Sequence, residues 1–286
     1  MNLKSFLRYK LKKHKKNYYI SDSKGLSFLS KELSNSPIFG IDTEFDWRRT
    51  YFPKVSLIQI SVNGKLFVID CLKINPKDFL KIYLENNEIL KVFHSVRSDA
   101  TVLSKSLSIN TKNVFDIQQA DKLLTKSDIK SYGKIVKNFF GINLEKSETN
   151  SNWLKRPLSE DQIKYALDDV DFLLEIYNYQ IKQLKKSNLM ENALALSEKE
   201  AILGNESLKK LRLIKLKNKF SKRNKQIFLW REEIAEKDNV PPAYIFKDKH
   251  LKKLSNIESN DLSARKKIML IIGDTDLTEK FMLNFL

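Results

Sequence analysis

The chain has 286 residues with 52 Lys and Arg against 35 Asp and Glu, a formal charge of +17 and a pI near 9.6. That balance suits a polyanion such as nucleic acid, since each neutralised phosphate releases counterions, although a Lys-, Asn- and Ile-rich genome would leave the same bias. One cysteine, Cys71, excludes an internal disulfide and a cysteine zinc cluster, and the lack of a long apolar run or secretory h-region predicts a soluble cytoplasmic protein with no membrane span.

Residues 1–17 carry no acid and include Lys12-Lys13-His14-Lys15-Lys16, which predicts a solvated basic extension, with Leu3, Phe6 and Leu7 at helical spacing. Tyr18 to Ile20 reads as a strand, and Ser21 or Ser23 as the cap of a helix carrying Leu26, Phe28, Leu29 and Leu33. Next comes Pro37-Ile38-Phe39-Gly40-Ile41-Asp42-Thr43-Glu44-Phe45, a strand ending in two carboxylates. Its alternation puts Ile38, Gly40, Asp42 and Glu44 on one face and Phe39, Ile41 and Thr43 on the other. Partly buried acids this close need a proton, a base or a cation; a strand that has simply reached water shows the same D-x-E.

Residues 55–61 and 66–70 form two strands joined at Asn63-Gly64. Trp47, Arg48, Arg49 and Tyr51 fall in the preceding loop, suited to stacking on bases and holding phosphates or to surface packing. A helix over 77–84, a strand Val92 to His94, a helix from Ser98, a strand Val114 to Asp116 and a long helix from Ser159 to Leu184 follow; such alternation predicts an α/β unit. Ser98 or Asp99 sits where a helix cap belongs. On the long helix, Ala166, Val170, Leu173 and Tyr177 make the core stripe and Lys164, Asp168, Asp171 and Glu175 the solvated one. Tyr165 and Asp169 share a third stripe at the core edge, which singles out Asp169 as a partly buried acid. Beyond Lys185 only helices are expected.

With those residues in view, the chain resembles ribonuclease D and related 3′-to-5′ exonucleases of the DEDD superfamily. The resemblance runs through "FGIDTEF" continued by "TYFPKVSLIQIS", then "FHSVRSDATVL", "NVFDIQQA" and "KSETNSNWLKRPLSEDQIKYALDDVDFLLEIY". It implies a ribonuclease H-like mixed-sheet exonuclease domain over 18–185, linking helices over 186–219, and an all-α HRDC-like domain over 220–286, carried by "LWREEIAEKDNVPPAYIFKDKHLKKLS". It assigns metal-binding acids to Asp42, Glu44, Asp99 and Asp169, and the tyrosine of the Y-x-x-x-D form to Tyr165. Two divalent ions, Mg²⁺ or Mn²⁺, suit an all-carboxylate site: Asp42 bridges them, Glu44 and Asp99 add ligands, Asp169 holds the ion that activates water, and Tyr165 positions that water.

The activity implied is removal of 5′-nucleoside monophosphates from RNA 3′ ends, with transfer-RNA precursors and other small structured RNAs as substrates. A DNA-directed exonuclease and an inactive nucleic-acid scaffold are the alternatives. His94 is a substrate contact or a structural histidine and not a metal ligand, while Asp116 reads as strand-end support. Lys146, Trp153, Arg156 and Pro157 match the approach to the last motif, where Arg156 is a candidate substrate contact. Lys247, Lys249, Lys252 and Lys253 form a candidate phosphate-facing patch or a solvated helix face.

Overall fold

The computed structural model describes residues 15–145, 147–216 and 221–286, so the amphipathic stretch expected over Leu3–Leu7, and Lys146, lie outside the described residues. The chain divides into two compact units: one holds the chain up to Asp46 and Pro53–Glu206, the other Trp47–Phe52 and Ser207–Leu286.

The first unit is built on a six-stranded sheet in the order β1-β4-β3-β2-β5-β6, from β1 (Lys16–Ile20), β2 (Ile38–Asp46), β3 (Lys54–Val62), β4 (Lys65–Asp70), β5 (Leu90–Phe93) and β6 (Val114–Asp116). β3 runs antiparallel to β2 and β4, and the remaining pairs are parallel. The β3–β4 turn needs two left-handed residues, and Asn63 (φ 49°) and Gly64 (φ 70°) supply them. β1 starts two residues before the expected Tyr18 because Lys16 and Asn17 continue the ladder opposite Lys65 and Leu66.

Alternation along the strands separates two cores. Phe39, Ile41, Ile58, Ile60, Phe67 and Ile69 face one side, and Leu57, Leu66, Val68 and Val92 face the other. Helices α1 (Ser23–Ser34), α2 (Lys77–Leu84) and α3 (Val96–Leu107) feed the first core with Leu29, Leu80 and Leu103. Helices α4 (Ile117–Thr125), α5 (Tyr132–Phe140), α6 (Glu160–Asp171) and α7 (Leu173–Lys186) feed the second with Ala120, Ile135, Val170 and Ile176.

Three local expectations are corrected. The cap of α1 is Asp22, whose carboxylate accepts from the Gly25 N–H at 2.8 Å, and neither Ser21 nor Ser23. Helix α3 begins at Val96, so Asp99 is within its first turn and is no cap. The single helix expected over 159–184 is two, broken at Phe172, because the Phe172 N–H donates to the Tyr132 hydroxyl at 3.1 Å; a side chain inserted into the ladder is a recognised cause of a helix break. Asp171, expected to face water, is buried and paired with Lys15 at 3.0 Å, and Lys15 reaches Glu175 at 2.8 Å as well.

Helix α8 (Met190–Asn205) belongs to the first unit. Its Ser197 hydroxyl accepts from the Asp116 N–H at 2.9 Å, and the Gly204 carbonyl accepts from the Thr101 hydroxyl at 3.0 Å. A Cβ on Gly204 would lie 2.5 Å from the Arg97 carbonyl, so only glycine permits this approach.

The second unit contains α9 (Leu208–Lys215), α10 (Lys222–Lys237), α11 (Pro242–Ile245), a 3₁₀ turn Asp248–His250, α12 (Leu251–Ser255), α13 (Leu262–Ile272) and α14 (Thr275–Phe285). Phe228, Leu251, Ile268 and Phe281 form its core together with Tyr51, from the segment between β2 and β3. The Asn239 side-chain carbonyl accepts from the N–H groups of both Tyr51 and Phe52 at 3.1 Å, and the Arg212 guanidinium lies 4.3 Å from the Tyr51 ring centre. Among the described residues no strand follows β6, and no helix is long and apolar enough to cross a membrane.

A carboxylate cluster as candidate active site

Strand β2 delivers Asp42 and Glu44 onto the face covered by α6 and α7, as its alternation requires, and a register shift just past the second acid interrupts the ladder before it resumes with Phe45 opposite Val55. Helix α6 begins at a capping box: Ser159 accepts from the Gln162 N–H at 3.1 Å, and the Gln162 side chain accepts from the Ser159 N–H at 3.0 Å. That fixed start brings Asp169, on the edge stripe, to the two strand acids. One carboxylate oxygen each from Asp42, Glu44 and Asp169 lies within 4.8 Å of the others.

Asp99 reaches the site from the opposite side. Thr43 points to the face of β2 on which α3 packs, and its hydroxyl donates to the buried Asp99 carboxylate at 2.7 Å. Asp99 is therefore outside the three-carboxylate group, although its charge is the strongest neighbouring charge on Asp42 and also acts on Glu44 and Asp169. The start of α3 is fixed by Asp116, whose carboxylate accepts from the N–H groups of Ser95 at 2.9 Å, Val96 at 3.0 Å and Gln118 at 2.8 Å, the support expected of it. Thr43 was not anticipated; a polar residue on the inner face of an apolar strand was the available signal.

Burial first, then mutual repulsion, pushes these acids up. Asp42 lies well above the usual range, held there by burial and by Asp99, Asp169 and Glu44 in turn. Burial with Asp169 and Asp99 raises Glu44 to about 9, and burial with Asp168 and Asp99 raises Asp169 to about 7. Asp99 reaches about 7 through burial, which the Thr43 hydroxyl partly opposes. A donor set of carboxylates alone, each costly to ionise unaided, fits hard divalent cations.

Without metal, the folded protein retains protons here that the unfolded chain sheds near pH 4. Stability from this source therefore falls as pH rises from the ordinary carboxylate range through about 7 for Asp169 and about 9 for Glu44. Thermal melts in chelator at pH 5.5 and 8.5 should show the wild type losing more stability than Asp169→Asn over that interval. Parallel losses in the two proteins would contradict the assignment.

Tyr165 stands beside the cluster. Its hydroxyl is 3.4 Å from the Thr149 hydroxyl and its ring centre 5.9 Å from that of buried Trp153. Burial, then the charge of Asp169, raises its pKa, so it is a protonated hydroxyl at neutral pH.

The residues expected to contact substrate are distributed differently. Arg156 is committed internally: its Nε and one terminal nitrogen each donate to Asp70 at 2.7 Å, and its other terminal nitrogen donates to the Trp153 carbonyl at 2.7 Å. It is not free to hold a phosphate, because fully buried Asp70 needs its charge. Tyr51 is not a surface residue, being fully buried in the second unit under Arg212. His94 has partners within the fold: Nε2 is 3.1 Å from the Lys130 carbonyl, the ring packs on Tyr132, and burial lowers its pKa. Trp47, Arg48 and Arg49 are exposed, in the segment that belongs to the second unit. Lys247, Lys249, Lys252 and Lys253 are exposed on that unit.

A family model described as 3′-5′ exonuclease matches residues 17–185, and an HRDC domain model matches 221–269. Curated relatives include the ribonuclease D of Desulfotalea psychrophila, 29% identical over 85% of this chain, and that of Bartonella henselae, 32% identical over 87%. The chain spans 67% and 63% of the lengths of those two relatives. Among solved structures it is similar to Escherichia coli RNase D, with a TM-score of 0.78 at 24% identity, covering 92% of this chain and 74% of that one. The catalytic core of RRP6 from Trypanosoma brucei gives a TM-score of 0.68 at 22% identity, covering 94% and 78%.

Proposed function

The chain belongs to the 3′-5′ exonuclease family and carries an HRDC domain behind the nuclease, and on that premise we propose that it is a metal-dependent exoribonuclease. It removes 5′-nucleoside monophosphates one at a time from RNA 3′ ends. The observation that carries this reading is the meeting of carboxylates from β2 and α6 within 4.8 Å. The relatives named ribonuclease D point to RNA, and transfer-RNA precursors and other small structured RNAs in the cytoplasm are the proposed substrates.

Asp42, Glu44, Asp99 and Asp169 would hold two divalent ions, Mg²⁺ or Mn²⁺. Bound there, the ions supply compensation for phosphoryl charge and a water acidic enough to attack. The chain's own groups then set the geometry. Thr43 fixes the orientation of the Asp99 carboxylate through its hydroxyl. Tyr165, protonated, holds the attacking water by hydrogen bonding and does not abstract its proton. Trp153 and α6 wall the site on the core side and exclude bulk water. The charge of +17 supplies general attraction for the strand, and the exposed Lys247, Lys249, Lys252 and Lys253 are proposed to face RNA phosphates.

Incubation with 5′-labelled RNA and DNA oligonucleotides of the same sequence, in Mg²⁺, Mn²⁺ or chelator, tests the proposal. A ladder shortening from the 3′ end of RNA, abolished by chelator and weakened steeply as salt rises, is expected. Preferential shortening of DNA would instead make this a DNA exonuclease, and intact strands in every metal would leave a binding scaffold.

A further inference from the structure

Across the β2–β3 ladder, Gln59 is the residue directly opposite Asp42. Residues opposite each other in an antiparallel pair point to the same face with Cβ atoms about 4.5–5.5 Å apart. Gln59 therefore shares the face of the carboxylates, flanked by Asp42 on one strand and Val68 on the other. It is fully buried, and neither its amide nitrogen nor its amide oxygen has a hydrogen-bond partner. Two strand positions on, the buried Ser61 hydroxyl is also unpartnered, opposite Gly40. The other β3 side chains near this face are accounted for: Leu57 is in the core beneath α6 and α7, and the Ser56 hydroxyl donates to the Trp153 carbonyl.

A buried amide with nothing to bond is costly, and such groups are few in folded proteins, a role in a neighbouring catalytic site being one recognised reason to keep one. We propose that Gln59 is a positioning residue for Asp42: in the metal-loaded site its side-chain N–H donates to the Asp42 carboxylate and fixes which oxygen faces the ions. A neutral donor is the chemistry this position needs. A lysine or arginine there would replace the cations by neutralising the acids, a carboxylate would add to the repulsion, and an amide orients without changing the charge. Such outer partners of metal ligands tune affinity by about ten- to a hundredfold. The inference rests on the exonuclease reading, since it gives Asp42 its ions.

Gln59→Met, close in length and apolar, separates this role from packing, with Gln59→Leu as the second variant should the first fail to fold. Calorimetric titration of each purified, folded protein with Mn²⁺ alone, and thermal melts with and without Mn²⁺, give readouts independent of turnover. The variant should bind Mn²⁺ about ten- to a hundredfold more weakly, while its metal-free melting temperature stays equal or rises, because an unpaired buried amide has been removed. A merely structural Gln59 would give the opposite pair of results, a lower metal-free melting temperature with unchanged Mn²⁺ affinity, and that would overturn the proposal. If the wild type itself bound no Mn²⁺ and cut no RNA, the exonuclease reading would fail along with it; wild-type binding matched by the variant would remove only the role of Gln59.

Discussion

Asp169→Asn should lose about a thousandfold or more of its exonuclease rate, corresponding to roughly 4 kcal/mol of lost stabilisation of the transferring phosphoryl group. At the same time its metal-free form should melt at a higher temperature than the wild type at pH 8. Both effects have one cause. Burial and the neighbouring Asp168 and Asp99 raise Asp169 to about 7, so at pH 8 its ionised form strains the folded protein unless cations are present. The asparagine has the same shape and no charge, which removes the strain and with it a metal ligand. A rate assay with 5′-labelled RNA and a melting curve in chelator read the two effects separately. Retention of the wild-type rate would remove Asp169 from the chemistry, and a lowered metal-free melting temperature would show that its carboxylate is compensated by something other than a cation.

Arg156→Met should cost about 3 kcal/mol of stability, since removing one partner leaves the other charge buried and uncompensated. In a unit of this size that is a fall of roughly 10 °C in melting temperature. Asp70 is fully buried. Burial alone would raise it, but the Arg156 fork, the Tyr19 hydroxyl and the Leu72 N–H outweigh that and leave it below the usual carboxylate range. The same guanidinium holds the Trp153 carbonyl, and the Trp153 ring packs on Tyr165. The variant should therefore also cut RNA more slowly at temperatures where it remains folded. Replacing Asp70 as well, in Asp70→Leu with Arg156→Met, should recover part of the stability, because the orphaned carboxylate is what costs. A single variant melting within about 2 °C of wild type would show that water already reaches Asp70 and screens it.

The parts of this site legible in the sequence are those governed by a local period. Alternation of two placed Asp42 and Glu44 on one face with Thr43 behind them, and the 100° step of the helix distinguished Asp169 from Asp168 before any contact was known. What the sequence hid was set by partners distant along the chain. Arg156 reads as a basic residue near a nuclease motif; its fate is decided by Asp70, 86 positions away. Tyr51 reads as a loop aromatic, and only the folding of Asn239 and Arg212 around it makes it core. The break at Phe172 depends on the Tyr132 hydroxyl, 40 residues earlier, and no helical periodicity could report it. Gln59 was visible as one amide in the apolar run of β3, but its lack of partners is a tertiary property.

The placement of Trp47–Phe52 has a consequence for synthesis of the chain. These six residues leave the sheet immediately after the acid-bearing strand; the first unit resumes at Pro53 and its sheet at Lys54. Their aromatic Tyr51 finds its surroundings only in residues from Leu208 onward. On a ribosome, Tyr51 and Phe52, which emerge between two neighbouring strands, must wait uncovered for more than 150 further residues before their own hydrophobic setting exists. The nuclease unit could complete its sheet in that interval, but a nascent chain stalled there would present Tyr51 and Phe52 to chaperones as a sticky loop.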